Sequence, residues 1–418
     1  MSLDAELIII GGGCAGLSLA SRLAERDTHC PRIIILESRT HYTHDRTWCF
    51  WGHDALRATA RVRHLIPHQW RKVRVSGHVR GSARTTTMDG GDHAYQMLPA
   101  DVFYADALRM IAKNNRIDLR LGHAIITEPV KNNKENAENG PWQIETSHGL
   151  IRGARIIDTR PVRRPERGGA LLWQSFYGQE ITCAEPVFET EYVDLMDFSE
   201  PRAEQIAFTY VLPLSPHRAL IEATVFAADP LSPDALVVQL EAAIAQRLHG
   251  AAFSVVRSEH GILPMGMIPA AAVPPAPPAP LSPLNHDLSY IKVGLTAGGA
   301  RPATGYAFQR IQRWADLCAS AIMAGKPLVT HPPDPLLLRM MDRLFLQVIR
   351  AHPALAPELF LLIFERVDPN RLIRFLSDRG TFADYIAIIR ALPPGPFLGQ
   401  IVSRIRGAFG LHQDPRHS

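Results

Sequence analysis

The stretch Leu7-Ile8-Ile9-Ile10-Gly11-Gly12-Gly13-Cys14-Ala15-Gly16 decides the fold. Its apolar start reads as a parallel strand buried on both faces. The glycines that follow have the G-x-G-x-x-G spacing of a turn leading from strand to helix. Gly11 makes the tight turn, Gly13 lets backbone approach a pyrophosphate, and Gly16 lets helix and strand pack closely. Leu17, Leu19, Ala20 and Leu23 mark one face of the helix, whose first N–H groups, at Cys14 and Ala15, are free to hold phosphate. A second apolar run, Ile33–Leu36, ends in Glu37, where an acid holds a ribose hydroxyl pair. Strand, turn, helix and acid together predict a bound dinucleotide. Without a ligand, the same residues would make an ordinary α/β turn.

At 418 residues the chain is long enough for two or three domains, and 46% hydrophobic with 21% charged residues marks a folded protein. A net charge of +4 is too small to indicate nucleic-acid binding. Residues 331–418 hold eleven arginines, no lysine and eight acids, so +3 of that charge lies there. Cys14, Cys30, Cys49, Cys183 and Cys318 are scattered, with no C-x-x-C pair. That argues for a reducing compartment and against structural zinc or a disulfide framework. No apolar stretch reaches the roughly 18 residues that span a bilayer, and the N-terminal apolar run lacks the flanks of a signal peptide. The expected place is the cytoplasm or, as a peripheral protein, the cytoplasmic side of the inner membrane.

Strand and helix patterns alternate up to about residue 165, as in an open parallel sheet. Asp101 is placed to cap a helix running to about Lys113. Ala124–Thr127 and Trp142–Glu145 read as strands, and Gly153–Asp158 as a further buried strand ending in an acid. Longer strand-like runs follow at Leu171–Tyr177, Ala207–Leu212, Ala219–Phe226 and Gly261–Met265, with a helix at Pro233–Leu248 between them. They predict a second, mostly antiparallel sheet. Residues 269–284 are too rich in proline for a helix and read as a stiff, extended surface loop. Tyr290–Leu295 is again strand-like, Thr296–Pro302 is a Gly-rich turn, and a helix runs from Gly305 to about Ala324. Residues 335–411 read as apolar helices broken at Pro353, Pro357, Pro369 and Pro393-Pro394.

Two dinucleotide-type segments far apart, 7–37 and 290–316, imply a nucleotide domain interrupted by another domain, as in flavin hydroxylases. The expected fold is therefore α/β. An FAD-binding Rossmann-type domain (1–168, returning at 285–330) is split by an antiparallel-sheet substrate domain (169–268) and followed by a helical C-terminal region (331–418). At this point the chain resembles the bacterial flavin-dependent lycopene beta-cyclases of carotenoid synthesis. The resemblance rests on Asp45-Arg46-Thr47-Trp48-Cys49-Phe50-Trp51, Phe176-Tyr177-Gly178-Gln179, Phe208–Ser215, Leu220-Ile221-Glu222-Ala223-Thr224, Gly261-Ile262-Leu263-Pro264-Met265, Gly294–Tyr306 and Phe375–Arg379, in that order along most of the chain.

The resemblance implies a reaction: proton-initiated closure of the ψ-end groups of lycopene to β-ionone rings, using reduced FAD with NAD(P)H as reductant and no net redox change. It implies Glu222 as the catalytic carboxylate, since a carboxyl in an apolar pocket stays protonated near neutral pH. Read alone, Glu222 on an alternating strand is equally a solvated outward residue. Relatives often carry a second acid after this Glu, where this chain has Ala223. Ordinary flavin hydroxylases have Gly-Asp where Gly294-Leu295 stands, a departure that favours the cyclase reading. Gly298, Pro302 and Gly305 are expected to line the flavin; a plain Pro/Gly turn explains the same residues. Arg46 is assigned to the cofactor, or to a pair with Asp45. Asp158 is assigned to the adenine side, or to loop capping. Trp48, Phe50, Phe176 and Tyr210, with Trp51, Trp173, Tyr177 and Phe208, are assigned to a polyene pocket, although aromatics on strands also build plain core. No metal site is expected.

Lycopene must pass directly from bilayer to protein, because each buried carbon unit is worth about 0.8 kcal/mol. Phe397, Leu398, Ile401, Val402, Ile405, Ala408 and Phe409 share one helical face, which suits either an interfacial helix on anionic lipid or a helix docked on the core. Leu359–Phe364 is a second candidate for lipid contact. An FAD-dependent oxidoreductase of the same fold, a hydroxylase or prenyl reductase, and a non-catalytic carotenoid carrier are the alternative functions. The sequence leaves the oligomeric state open.

Overall fold

A computed structural model describes residues 3–26, 30–52, 57–79, 81–132, 140–161, 169–199, 205–267 and 289–408. In chain order the strands are β1 (Ala5–Ile10), β2 (Ile33–Leu36), β3 (Thr47–Trp51), β4 (His68–Trp70), β5 (Lys72–Val79), β6 (Ser82–Asp89), β7 (Tyr95–Pro99), β8 (Ile117–Arg120) and β9 (Val130–Lys131). They continue with β10 (Trp142–Thr146), β11 (Gly149–Asp158), β12 (Leu172–Cys183), β13 (Tyr192–Phe198), β14 (Ile206–Ser215), β15 (Arg218–Ala227), β16 (Phe253–Met265) and β17 (Tyr290–Lys292). The α-helices are α1 (Cys14–Ala24), α2 (Arg57–Ala60), α3 (Ala100–Ile111), α4 (Val237–Leu248), α5 (Phe308–Met323), α6 (Leu336–Ala351), α7 (Ala356–Arg366), α8 (Pro369–Leu376), α9 (Phe382–Ala391) and α10 (Pro394–Ala408).

The apolar run of β1 lies between β2 and β11, parallel to both, in a sheet of order β8-β2-β1-β11-β10-β9. Burial on both faces explains why Ile33–Leu36 shows no polar alternation. The chain returns to this sheet after the second one: β17 pairs parallel with β11, setting Tyr290 beside Ile156. Helices α1, α3 and α5 pack together on the strands around Leu17, Leu23, Phe103 and Trp314.

The second sheet has the order β16-β12-β15-β14-β13-β5-β6 and is antiparallel except where β13 meets β5. One face is covered by α4, whose Leu240 and Ile244 pack on Ile181, Val211, Ile221 and Ala223. The other face looks toward the three-stranded sheet β3-β7-β4 and the C-terminal helices. The hairpin β5–β6 belongs to this second sheet although it lies in the stretch that the sequence places with the nucleotide domain. Its period-two burial, with Val73, Val75 and Val79 inside, is an antiparallel signature.

Several local expectations are corrected. Ala124–Thr127 forms no strand, only a single bridge from Ile125 to Thr146. Asp101 lies in the first turn of α3 rather than at its cap, which is Pro99. β17 stops at Lys292 because Gly294 turns the chain with φ +94. α5 begins at Phe308, not Gly305, whose φ of +70 is incompatible with a right-handed helix. Pro357 sits in the first turn of α7, where the missing N–H costs nothing. The proline-rich run 269–284 lies outside the described residues.

Candidate active site

The Gly-rich turn has the geometry of a phosphate cradle. Gly13 caps α1 without a side-chain hydrogen bond, and there is no acid in the first turn, where a helix leaves its first N–H groups without intrahelical partners. Nothing lies within 4 Å of where a Cβ on Gly13 would be, whereas one on Gly16 would collide with the Gly11 carbonyl. Gly11 takes φ +98. The Glu37 carboxylate accepts the Gly12 N–H at 2.7 Å and the Arg39 N–H at 2.9 Å. Burial works against its charge, and the bonds from Arg39 and Gly12 outweigh that, holding it below the usual carboxylate range. Loss of solvent around the half-buried Cys14 thiol pushes it up to about 12.

The other predicted cofactor residues separate. Gly298 (φ +90) and Gly305 lie on the segment returning from β17. A Cβ on Gly305 would stand 3.0 Å from Leu263 and 3.2 Å from Gln174 of the second sheet, and the Pro302 carbonyl accepts the Gly266 N–H at 3.0 Å. This segment therefore reaches the inner face of the antiparallel sheet. Arg46 pairs with Asp45 at 3.3 Å and is half exposed. The Asp158 carboxylate is saturated by the Arg160 backbone and side chain and by the Tyr290 hydroxyl. The partners seen are those of the local ion pair for Arg46 and of the loop cap for Asp158.

Strand alternation also divides the aromatics. Trp48 and Phe50 point into the nucleotide-domain core, Trp48 against Phe103 at 5.1 Å and Phe50 stacked on Phe308 at 4.8 Å. Their assignment to a polyene pocket gives way to the plain-core alternative on that ground: in β3 it is Thr47, Cys49 and Trp51 that face the second sheet. Tyr177 likewise turns to the α4 side. Phe176 and Tyr210 are on the inner face, with Tyr210 directly opposite Glu222 in register and its hydroxyl donating to Tyr95 at 3.1 Å. Phe176 lies over Gly261, where a Cβ would meet the ring.

Glu222 of β15 is buried, 8% exposed. It is opposite Gly178 of β12, and Gly178 is opposite Glu259 of β16. The missing side chain at 178 opens the space between the two acids: a Cβ there would sit 2.5 Å from Glu222 Cγ. Across that gap Glu259 meets Glu222, and burial with this neighbouring carboxyl pushes Glu222 well above the ordinary range. Glu259 is anchored from its other side. It accepts a hydrogen bond from Thr47 Oγ1 at 2.8 Å and pairs with Arg257, which also donates to Thr47 and to Glu180. Ala223, in the place of the relatives' second acid, points to the α4 face, so an acid there would not reach this site.

Glu259 went unread because the recognisable run begins two residues later, at Gly261; the period of β16 was the available signal. Also unread was a clamp beneath the returning segment. Arg301, fully enclosed, makes a two-pronged pair with Asp342 of α6 at 3.1 and 3.2 Å, bonds the Phe375 carbonyl and stacks over the Phe375 ring. His331 accepts the Gly294 N–H at 3.1 Å, and burial with Arg310 and Arg313 lowers it to about 4, so it stays neutral.

The chain is 24% identical over 411 residues to the lycopene beta-cyclase of Pantoea ananas, covering 95% of this chain and 97% of that protein. It is 28% identical over 262 residues to that of a Paracoccus species; this match covers 59% of this chain and 63% of that protein, less than two thirds of it. Among solved structures, a geranylgeranyl bacteriochlorophyll reductase-like protein of Thermoplasma acidophilum superposes with TM-score 0.56 at 13% identity, over 96% of this chain and 98% of that one. Aklavinone-11 hydroxylase, solved with FAD and aklavinone, superposes with TM-score 0.53 at 13% identity, over 78% of this chain and 63% of that one. The fold thus resembles the two-domain fold of FAD-using enzymes, with mixed sheets and C-terminal helices. The model of the lycopene cyclase protein family matches residues 6–401, and the chain belongs to that family.

Proposed function

We propose that this protein closes the ψ-end groups of lycopene to β-ionone rings, with Glu222 as the proton donor. The observation that carries the reading is a carboxyl enclosed on the inner face of the sheet and facing Glu259 across Gly178, where the Gly-rich segment arrives; burial and Glu259 push its pKa well up. Glu222 gives its proton to C2 of the end group, leaving a cation at C1. The C5=C6 electrons form the C1–C6 bond, C5 becomes the cation, and loss of the C6 proton to a carboxylate restores the double bond. One proton enters and one leaves; no electrons are exchanged. An alkene is a very weak base, so the acid must be well placed and water excluded. The rings of Phe176 and Tyr210 offer π faces to the cation.

The cradle at Gly11, Gly13, Cys14, Ala15 and Gly16 fits the pyrophosphate of FAD, with Glu37 toward the ribose and Gly298, Pro302 and Gly305 toward the flavin. When bound and kept reduced by NAD(P)H, FAD supplies an electron-rich ring that favours a nearby cation. With Gly178→Val, the valine side chain would displace Glu222. Turnover is expected to fall about a hundredfold with FAD content unchanged, as measured by product formation and flavin absorbance.

A membrane-surface location is part of this proposal. Among the described residues no single helix is long and apolar enough to cross a membrane. Leu336, Met340, Phe382, Leu398, Ile401 and Val402 of the C-terminal helices are exposed, Phe382 at 70%, which supports contact with lipid. Leu359–Phe364 is buried instead, apart from half-buried Phe360. The side chains of Ile405 and Ala408, and Phe409 entirely, lie outside the described residues.

The names of the two solved structures, a reductase-like protein and a hydroxylase, favour a second reading: an FAD-dependent oxidoreductase acting on a prenyl or carotenoid substrate. Anaerobic incubation of the reduced protein with lycopene in D2O separates the readings. The cyclase gives one deuterium per ring, the acid exchanging with solvent between turnovers, and no net NAD(P)H consumption. Stoichiometric NAD(P)H use with a saturated product, or with an oxygenated product when air is admitted, overturns it in favour of the oxidoreductase. Binding without turnover points to a carrier.

A further inference from the structure

The reading of Glu222 as the acid uses Glu259 only as a neighbouring carboxyl, although Glu259 is 3% exposed and more elaborately held than Glu222 itself. A buried acid kept only for structure would be expected to meet a base. Glu259 does so on one side, through Arg257 and Thr47, yet its other side is turned to a second carboxyl across Gly178. A valine or alanine at 178 would have kept the two acids apart; the glycine in mid-strand, otherwise a weakness in a sheet, lets them meet.

We propose that Glu222 and Glu259 form a one-proton carboxyl dyad laid over Gly178, with Glu259 as the positioning residue that keeps the proton on Glu222. The proposal rests on Glu222 being the proton donor and extends it. Two buried carboxyls in contact do not readily both ionise. Arg257 and Thr47 donate to Glu259, so the cation and the hydroxyl of the site sit on the Glu259 side of the pair. The groups facing the pair are Cys49 of β3, Tyr95 of β7, Tyr210 of β14 and Arg257 of β16, with Glu180 and His44 beyond Arg257.

The dyad also accounts for the return of the proton. Once Glu222 has protonated C2, two carboxylates face one another beside the ring cation. Their repulsion raises the affinity of the pair for a proton, and the C6 proton is the one at hand. Its transfer forms the O–H bond, leaves the C6–H electron pair as the C5=C6 bond, and restores the starting dyad. Coupled acids of this kind titrate as a pair, so the observable is the pH profile rather than a single-residue value.

Glu222 must be protonated to act, so the rate is full below the upper pKa of the dyad and falls as pH rises through it. Glu259→Gln removes the neighbouring charge, lowers that pKa, and is expected to move the basic limb of kcat to lower pH by about one unit or more, a tenfold change in proton affinity per unit. Glu259→Asp, which keeps the charge, is expected to restore most of the limb. Infrared titration of the full-length protein supplies a readout independent of turnover: one protonated carboxyl at neutral pH, absent in Glu222→Gln. A limb unmoved in Glu259→Gln, or an infrared count of two or no protonated carboxyls at neutral pH, overturns the dyad. If Glu259→Gln fails to fold, the infrared count in the unaltered protein and the limb of Glu259→Asp decide. Retained turnover in Glu222→Gln overturns the acid assignment itself, whatever the limb does.

Discussion

Glu222→Gln is expected to bind FAD like the unaltered protein and to lose cyclisation by roughly a hundred- to ten-thousandfold, the span that a positioned general acid contributes. The amide is nearly isosteric and can still hydrogen-bond Glu259, so the inner face of the sheet should keep its packing around Tyr210 and Gly178. What is lost is the ionisable proton. Flavin absorbance and thermal melting check the fold, and conversion of lycopene in detergent or vesicles checks the chemistry. Turnover within threefold of normal would sink the assignment. Loss of flavin together with turnover would move Glu222 from the reaction to the framework.

The second large effect concerns stability. Asp342→Ala leaves the Arg301 guanidinium, 0% exposed, without its two-pronged partner. Breaking a buried pair by removing one side costs about 3–5 kcal/mol, because an uncompensated charge stays enclosed. Asp378, 3.9 Å from Arg301 but shared with Arg310 and Arg313, offsets little of it. Because Arg301 precedes Pro302 in the returning segment, FAD affinity should fall with stability. Replacing both partners, Arg301→Met with Asp342→Leu, is expected to recover much of the loss, since an apolar pair of similar volume can be nearly neutral. Chemical denaturation of all three proteins measures this; a single variant within about 1 kcal/mol of the parent would show that the clamp carries no stability.

Much of the architecture was legible locally. The β1–turn–α1 unit is encoded in contiguous residues, because a strand buried on both faces, a tight turn and a helix start each need particular residue types next to one another. The long strands around Phe176 and Glu222 were visible through their period. The hairpin at 72–89 was misplaced because its alternation specifies a half-buried strand and not which sheet it joins; the partner, β13, lies over a hundred residues away. Trp48 and Phe50 were misassigned for a related reason. Composition marks β3 as aromatic, but the face that meets the second sheet depends on a register set by β7.

By itself the sequence determined the family, the Gly-rich turn at Gly11–Gly16 and the interrupted course of the first sheet, since each is written in short motifs whose chemistry is local; Glu222 was singled out through the family resemblance. Only the tertiary structure decided what Glu222 faces. Glu259 comes from a strand two places away in the sheet, reaches it because Gly178 between them has no side chain, and is kept in place by Thr47 from a different sheet. A pKa is a property of surroundings, and these surroundings are assembled from four separate strands by long-range pairing that no local pattern encodes.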